Sequence, residues 1–132
     1  MKALTIHPVW AWAIVHGHKR VENRTWRTHH RGPLLIHASA DSPAARQSDA
    51  AARKALATLG IDVPEMVPAG AIVGQVELID VVTPNSGQHD LFNSRLDGDP
   101  LAVGPFCWLL GQPTTLTPIA LRGQQGLFNY VP

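Results

Sequence analysis

The segment 70–83, GAIVGQVELIDVVT, is the longest stretch of β pattern in the chain, and it constrains the fold most strongly. Successive side chains of a strand point to opposite faces, so Val73 is expected on one face and Ile72 and Val76 on the other. Gly74 inside this strand predicts a bulge or a close approach by another backbone. The fold is therefore expected to be built on a β-sheet.

Glycine and proline divide the rest of the chain into short elements. The clearest helix is expected at 44–59, where Asp41 or Ser42 can cap its start and Gly60 ends it. Residues 85–100 are polar and are predicted to be irregular or a short helix. The other expected elements are a strand at 2–6, a short helix at 9–16, strands at 34–38, 106–110 and 119–121, and a closing strand at 127–130. This pattern predicts a small α+β barrel in a single domain over residues 1–132.

Composition sets limits on the class of protein. A chain of 132 residues with 45% hydrophobic residues is long and apolar enough to bury a core. The lone Cys107 excludes an intramolecular disulfide and a multi-cysteine zinc site, which favours a reducing cytoplasm. No apolar run approaches the roughly 20 residues of a membrane span, and no signal peptide is recognised. A cytoplasmic protein without membrane association is therefore expected.

A basic segment at residues 17–31 follows directly on the first predicted helix. It holds five of the eleven Lys and Arg residues of the chain, and Glu22 is its one acid. Although the net charge is only +1, such a local cluster attracts anionic ligands whatever the total. The clustering, and not the net charge, therefore points to a nucleotide or nucleic acid.

Three residues of this segment have side chains suited to a ligand site. Lys19 fits a phosphate as a flexible point charge, or serves as a base if burial removes its proton. The planar fork of Arg24 fits a phosphate or a base edge. In an extended segment Glu22 lies on the same side as Arg24, so an internal ion pair is an equally good interpretation. Glu22 can also accept hydrogen bonds from a base or act as a general base.

The tryptophans and His37 are expected to play different parts. Charged residues surround Trp26, which favours stacking on a nucleobase, a contact worth about 1–3 kcal/mol per base. Trp10 and Trp108 lie in apolar elements and are expected in the core. His37 lies in a short buried strand and is expected to be a hydrogen-bonded core residue.

Further polar residues are candidates for the edges of the site. Arg27 and Arg31, with His29 and His30, are expected to form either a phosphate-contacting rim or a solvated charged loop. The two histidines lack further ligands at a suitable spacing, so no metal site and no cofactor are predicted. Ser39 is expected near the cleft, and the expected residues of its far wall are Arg122, Gln124 and Gln125.

The pattern G-x-K-x-x-E-x-R, present as Gly17, Lys19, Glu22 and Arg24, resembles the signature of the ASCH domain family of the PUA-like superfamily. The resemblance extends over nearly the whole chain, through segments 2–5, 10–14, 21–26, 31–38, 70–74, 104–106 and 122–128. It implies a small mixed β-barrel with flanking helices. It also implies a cleft lined by the signature, with RNA-related or nucleotide-related ligands.

Two departures from the family pattern affect these expectations. Relatives usually have proline immediately before the first tryptophan, whereas Val9 separates Pro8 from Trp10 here. Some relatives hydrolyse N4-acetylcytidine with a threonine nucleophile at the position of Glu22, and a carboxylate cannot replace an activated hydroxyl. The resemblance implies that an acid after the long strand assists those enzymes, and Asp90 is the nearest candidate.

Three hypotheses about function follow from these observations. The first is a module that binds a nucleotide or single-stranded RNA, with DNA as a further possible partner, through Lys19, Glu22, Arg24, Trp26, Arg27 and Arg31. The second is a hydrolase, either a ribonuclease that uses Lys19 and Glu22 for proton transfer or an amidohydrolase of a modified cytidine. The third is a protein-interaction domain, suggested by the occurrence of the family in transcription coactivators, which requires an exposed apolar patch away from the basic segment.

Overall fold

The computed structural model describes residues 1–83 and 99–132, which form a six-stranded sheet and two helices. In chain order the elements are β1 Lys2–Ile6, α1 Pro8–Val15, β2 Val21–Arg24, β3 Gly32–Ala38, α2 Pro43–Thr58, β4 Ala71–Val82, β5 Phe106–Ala120 and β6 Leu127–Asn129. The strand order is β2-β5-β4-β3-β1-β6, with β1 and β3 parallel and the other neighbours antiparallel. The sheet curls into a half-barrel, which confirms the predicted α+β fold class. Asp90 and nearly all of the predicted segment 85–100 lie outside the described residues.

Strand β5 is continuous over 15 residues, and the prediction of two separate strands at 106–110 and 119–121 is wrong. Pro113 and Pro118 make the intervening sequence a poor local candidate for a strand. Strand β4 nevertheless pairs with β5 from one end of β4 to the other. The ladder absorbs the misfit through register shifts and a left-handed backbone at Gln112, whose φ is 47°.

Strand β2 is a further difference from the expected elements. Its sequence VENR contains one apolar residue, so no hydrophobic alternation marks it as a strand. It pairs antiparallel with the first residues of β5 and forms one edge of the sheet. The second half of the signature is therefore held in extended backbone.

Gly74 shifts the register of β4, as predicted. A Cβ at this position would lie 2.5 Å from the carbonyl oxygen of Thr114 and 2.5 Å from Cγ1 of Val15. The predicted bulge and close approach are thus both confirmed. Because the bulge interrupts the alternation, Val73 and Val76 belong to the same core cluster, and their predicted assignment to opposite faces is wrong.

Helix α1 lies between the sheet and α2, and all its residues except Trp10 are buried. Ile14 and Val15 pack in the core against the sheet, whereas Val9 and Ala13 pack against α2. A helix of eight residues is marginal by itself, so contact on both sides stabilises it. Helix α2 buries few residues and forms the outer layer. In the described part of the chain, no helix has the combined length and hydropathy of a bilayer-spanning segment.

Candidate functional site

The turn after α1 directs the first residue of the site inward. Gly17 has a φ of 80°, which glycine adopts without a steric penalty. The amides of His18 and Lys19 then both donate to the carbonyl of Ala13, at 2.8 and 3.1 Å. This tight turn brings Lys19 back against the domain, where only 4% of the residue is exposed.

Glu22 is the centre of an ion-pair triad with Lys19 and Arg24. Lys19 Nζ donates to Glu22 Oε1 at 3.2 Å, and Arg24 Nε donates to Glu22 Oε2 at 3.0 Å. Arg24 Nη2 also donates to the carbonyl of Thr5 in β1, at 2.8 Å. The predicted pairing of Glu22 with Arg24 is therefore present, because β2 is extended and directs both side chains to one face. With two cations and one carboxylate, the triad has a formal charge of +1.

The triad lines a cavity of about 970 Å³. Trp10 and Trp26 line it beside the triad, and the loop after β5 contributes Gln124 and Gln125. Residues between 100 and 103 provide another part of the wall. Lys19, Glu22 and Arg24 are thus paired with one another and also face an open space, so ion pairing and ligand contact are compatible here.

The two tryptophans present different surfaces to the cavity. Lys19 Nζ lies 4.9 Å from the centroid of the Trp10 ring, so a cation already covers one face of Trp10. Trp26 is half-buried and packs edge-on against Trp108, with ring centroids 4.9 Å apart. Trp108 Nε1 donates to the carbonyl of Trp26 at 3.3 Å, which fixes the backbone at that point. Trp108 is fully buried, as predicted, whereas Trp10 contacts the core but is only half-buried and lines the cavity.

One protein-family model matches more than half of the chain. A model of the ASCH domain matches residues 4–97. The chain belongs to the ASCH domain family. The structure of ASCH from Zymomonas mobilis superimposes with a TM-score of 0.56 at 17% identity, covering 96% of this ASCH domain and 85% of that chain. This likeness concerns the fold.

Two longer proteins each contain a region similar to this ASCH domain. Activating signal cointegrator 1 of Homo sapiens is 31% identical over 112 residues, which cover 83% of the present chain. The Mus musculus protein of the same name is 36% identical over 98 residues, which cover 73% of it. The matched region spans 19% of the human protein and 17% of the mouse protein.

Arg27 and Arg31, which follow β2 in the basic segment, lie outside the cavity lining. Arg31 Nη2 pairs with Asp80 Oδ1 of β4 at 3.0 Å, and Arg31 Nη1 donates to the carbonyl of Thr28 at 2.8 Å. The guanidinium of Arg27 lies over the ring of Phe106, with its carbon 5.6 Å from the centroid. Neither arginine lines the cavity. Their predicted contact with phosphate stays a prediction about the surface outside the cleft.

His29 and His30 of the basic segment also lie outside this lining. His29 is exposed, and His30 Nε2 is 2.9 Å from the carbonyl of Pro33. Within residues 1–83 and 99–132, no three His, Cys, Asp or Glu side chains are grouped so as to hold a metal ion. Ser39 and His7 both line the cavity, and Oγ of Ser39 is 3.3 Å from Nδ1 of His7. Arg122 is exposed and does not line the cavity.

Asn23 organises the cavity wall and was not among the predicted site residues. Its Nδ2 donates to the carbonyl of Leu101 at 2.8 Å, and its Oδ1 accepts from the amides of Val103 and Gly104 at 3.0 and 2.9 Å. These partners are about 80 positions away in sequence, so no local pattern marks Asn23. Behind it, burial raises the pKa of the Cys107 thiol, which makes a reactive thiolate unfavourable.

Proposed function

We propose that this ASCH domain binds a nucleotide or a short stretch of single-stranded RNA in the cleft that contains the Glu22 triad. The observation that carries the proposal is the pair of cations held around one buried carboxylate on the lining of a cavity of about 970 Å³. The excess positive charge favours an anionic ligand, and the cavity restricts where its charged group can approach.

Arg24 is the residue best prepared to contact the ligand. Its Nε and Nη2 are occupied by Glu22 and Thr5, which hold the guanidinium plane in one orientation. In the described part of the chain, Nη1 donates no hydrogen bond, and Arg24 lines the cavity. A fixed guanidinium with a remaining donor suits a phosphate oxygen or the acceptor edge of a base. Lys19 adds a second charge beside it.

The other walls suit a nucleobase. Trp26 is the proposed stacking partner, since Trp108 steadies it and it lines the cavity. Lys19 occupies one face of Trp10, so Trp10 has less ring surface for stacking than a tryptophan with both faces open. The amide groups of Gln124 and Gln125 can donate to and accept from base edges.

The same geometry favours binding over proton-transfer catalysis. Both carboxylate oxygens of Glu22 already accept from cations, which orient the carboxylate towards Lys19 and Arg24 and leave fewer lone pairs for a substrate proton. Lys19 is held as a donor to that carboxylate. The hydrolase hypothesis therefore requires a substrate proton to be placed at a remaining lone pair of this carboxylate, beside two cations that already bind it.

Fluorescence anisotropy with a labelled single-stranded RNA of about 12 nucleotides tests the proposal. Arg24→Ala is expected to weaken binding by roughly tenfold or more, because a hydrogen bond to a charged group is lost. Arg46→Ala is the matched control, since Arg46 is an exposed arginine on α2 whose carboxylate partner is Asp41. Affinity should also fall with salt at a slope of about −0.7 per phosphate contact.

Several results would contradict the proposal. Equal affinities for the folded Arg24→Ala variant and the wild type would exclude this cleft as the binding site. Salt-independent binding would show that the phosphates of the RNA do not contact the protein. Gel analysis of the RNA after the same incubations tests the ribonuclease hypothesis, and acetylated cytidine incubated in parallel tests the amidohydrolase hypothesis. Turnover of either substrate that disappears in Lys19→Ala would identify an enzyme. A DNA oligonucleotide of the same sequence measures the contribution of the 2′-hydroxyl groups.

A further inference from the structure

His37 is a buried polar residue beneath the cleft, with only 1% of its surface exposed. Its Nε2 is 2.6 Å from the carbonyl oxygen of Leu121, and its Nδ1 is 3.2 Å from the hydroxyl of Thr5. Because a carbonyl oxygen only accepts hydrogen bonds, Nε2 is the donor in the first contact. The predicted core histidine is therefore present and hydrogen-bonded, and it joins three segments of the chain.

The backbone at Gly123 also contacts the imidazole closely. A Cβ at this position would lie 2.7 Å from Cε1 of His37 and 2.6 Å from Oγ1 of Thr5. Only a residue without a side chain fits there, since real Cβ atoms do not approach other atoms so closely. Leu121 and Gly123 therefore fasten the start of the loop to His37, and the next two residues of this loop are Gln124 and Gln125 in the cleft wall.

Thr5 connects His37 to the opposite part of the cleft. Its hydroxyl faces His37, and its carbonyl accepts from Nη2 of Arg24 at 2.8 Å. Thr5 and His37 are also paired across the parallel strands β1 and β3. The imidazole thus contacts the loop that carries the proposed base-reading groups, and it is linked to Arg24 of β2 through Thr5.

We infer that His37 is a positioning residue, which holds the loop 121–126 as the far wall of the cleft and steadies Arg24 through Thr5. This inference rests on the proposed function, because the affected groups belong to the same cleft. His37 does not line the cavity, so it acts through Leu121, Gly123 and Thr5 and makes no direct contact with the ligand.

Two substitutions at His37 separate positioning from simple core packing. The amide nitrogen of glutamine can reach the position of Nε2, so His37→Gln keeps a donor for the Leu121 carbonyl. The asparagine amide ends near the position of Nδ1, so His37→Asn loses that donor. Gly123→Ala disturbs the same contact from the loop side. Ile36→Val is the matched destabilising control, because Ile36 is fully buried beside His37 and packs in the main core.

Amide hydrogen exchange of residues 122–126 in the free protein is the first measurement, and anisotropy with the RNA of about 12 nucleotides is the second. His37→Asn and Gly123→Ala are expected to speed loop exchange and to weaken RNA binding by roughly tenfold, equivalent to one lost hydrogen bond. His37→Gln should stay within about threefold of the wild type, since it keeps the donor to Leu121. Ile36→Val should lower the melting temperature without changing loop exchange or affinity.

Unchanged loop exchange in both His37→Asn and Gly123→Ala would overturn the inference. Equal losses of RNA affinity in Ile36→Val and His37→Asn would also overturn it, since general destabilisation would then explain both. If the wild-type protein fails to bind the RNA, the proposed function fails, while loop exchange still decides whether His37 orders the loop.

Discussion

Substitution of Glu22 by glutamine tests whether the ion-pair triad is as tightly buried as its geometry indicates. Glutamine keeps the shape of the side chain but turns an amide NH₂ towards one of the two cations. Lys19 is 4% exposed, so it would be left with little water and a weaker partner. Loss of one partner from a buried pair costs about 3–5 kcal/mol. Arg24, whose side chain is 23% exposed, remains partly solvated, so the lower end of about 3 kcal/mol is expected.

Urea unfolding measures this loss directly. With a slope of about 2 kcal/mol/M, a loss of 3 kcal/mol lowers the midpoint by about 1.5 M at an unchanged slope. The double variant Lys19→Met, Glu22→Gln should recover most of that loss, because the uncompensated ammonium is gone. Asp41→Asn is the matched control: Asp41 pairs with Arg46 at 2.8 Å, but their side chains are 66% and 69% exposed.

The exposed pair is expected to contribute little, since water screens both of its charges. A midpoint for Glu22→Gln no lower than that for Asp41→Asn would refute the argument from burial. A double variant that loses as much stability as the sum of the single variants would show that Lys19 and Glu22 do not interact energetically.

Three further predictions concern the cleft wall, the bulge and the buried thiol. Trp26→Leu should weaken RNA binding by about 1–3 kcal/mol, the value of one stacked base, in the anisotropy assay. Gly74→Ala should lower the free energy of unfolding by about 1–3 kcal/mol, because its Cβ would meet Thr114 and Val15 at 2.5 Å. Burial raises the pKa of the Cys107 thiol above its usual value of 9.0. The stabilisation contributed by the buried, protonated thiol should therefore be fully present below that pH. It should be lost as pH rises through the folded-state pKa, in urea titrations that compare the wild type with Cys107→Ala.

Each of these predictions has a contrary result. Unchanged RNA affinity in Trp26→Leu would remove Trp26 from the ligand site. A Gly74→Ala variant with wild-type stability would mean that β5 and α1 can move away from β4 at the bulge without loss. Parallel pH profiles for Cys107→Ala and the wild type above pH 9 would show that other groups govern alkaline unfolding.

Local sequence determined much of the framework. The N-cap at Ser42 and the positive φ of Gly60 bound α2 close to the predicted limits, because caps act within one helical turn. The bulge at Gly74 was predictable for the same reason, since a missing side chain is visible in the sequence. The spacing of Glu22 and Arg24 indicated their pairing as one of two interpretations, because two residues in extended backbone share a face.

Only the tertiary structure decided how these parts meet. Pairing with β4 carries β5 across two prolines, against the local preference of its sequence. Asp80, 49 positions away, engages Arg31, and partners about 80 positions away engage Asn23. Sequence periodicity encodes which face of an element is apolar, but it contains no information about which distant polar group completes a buried hydrogen bond. For this reason the signature was readable from the chain alone, while its burial, its cavity and the place of His37 beneath it required the folded domain.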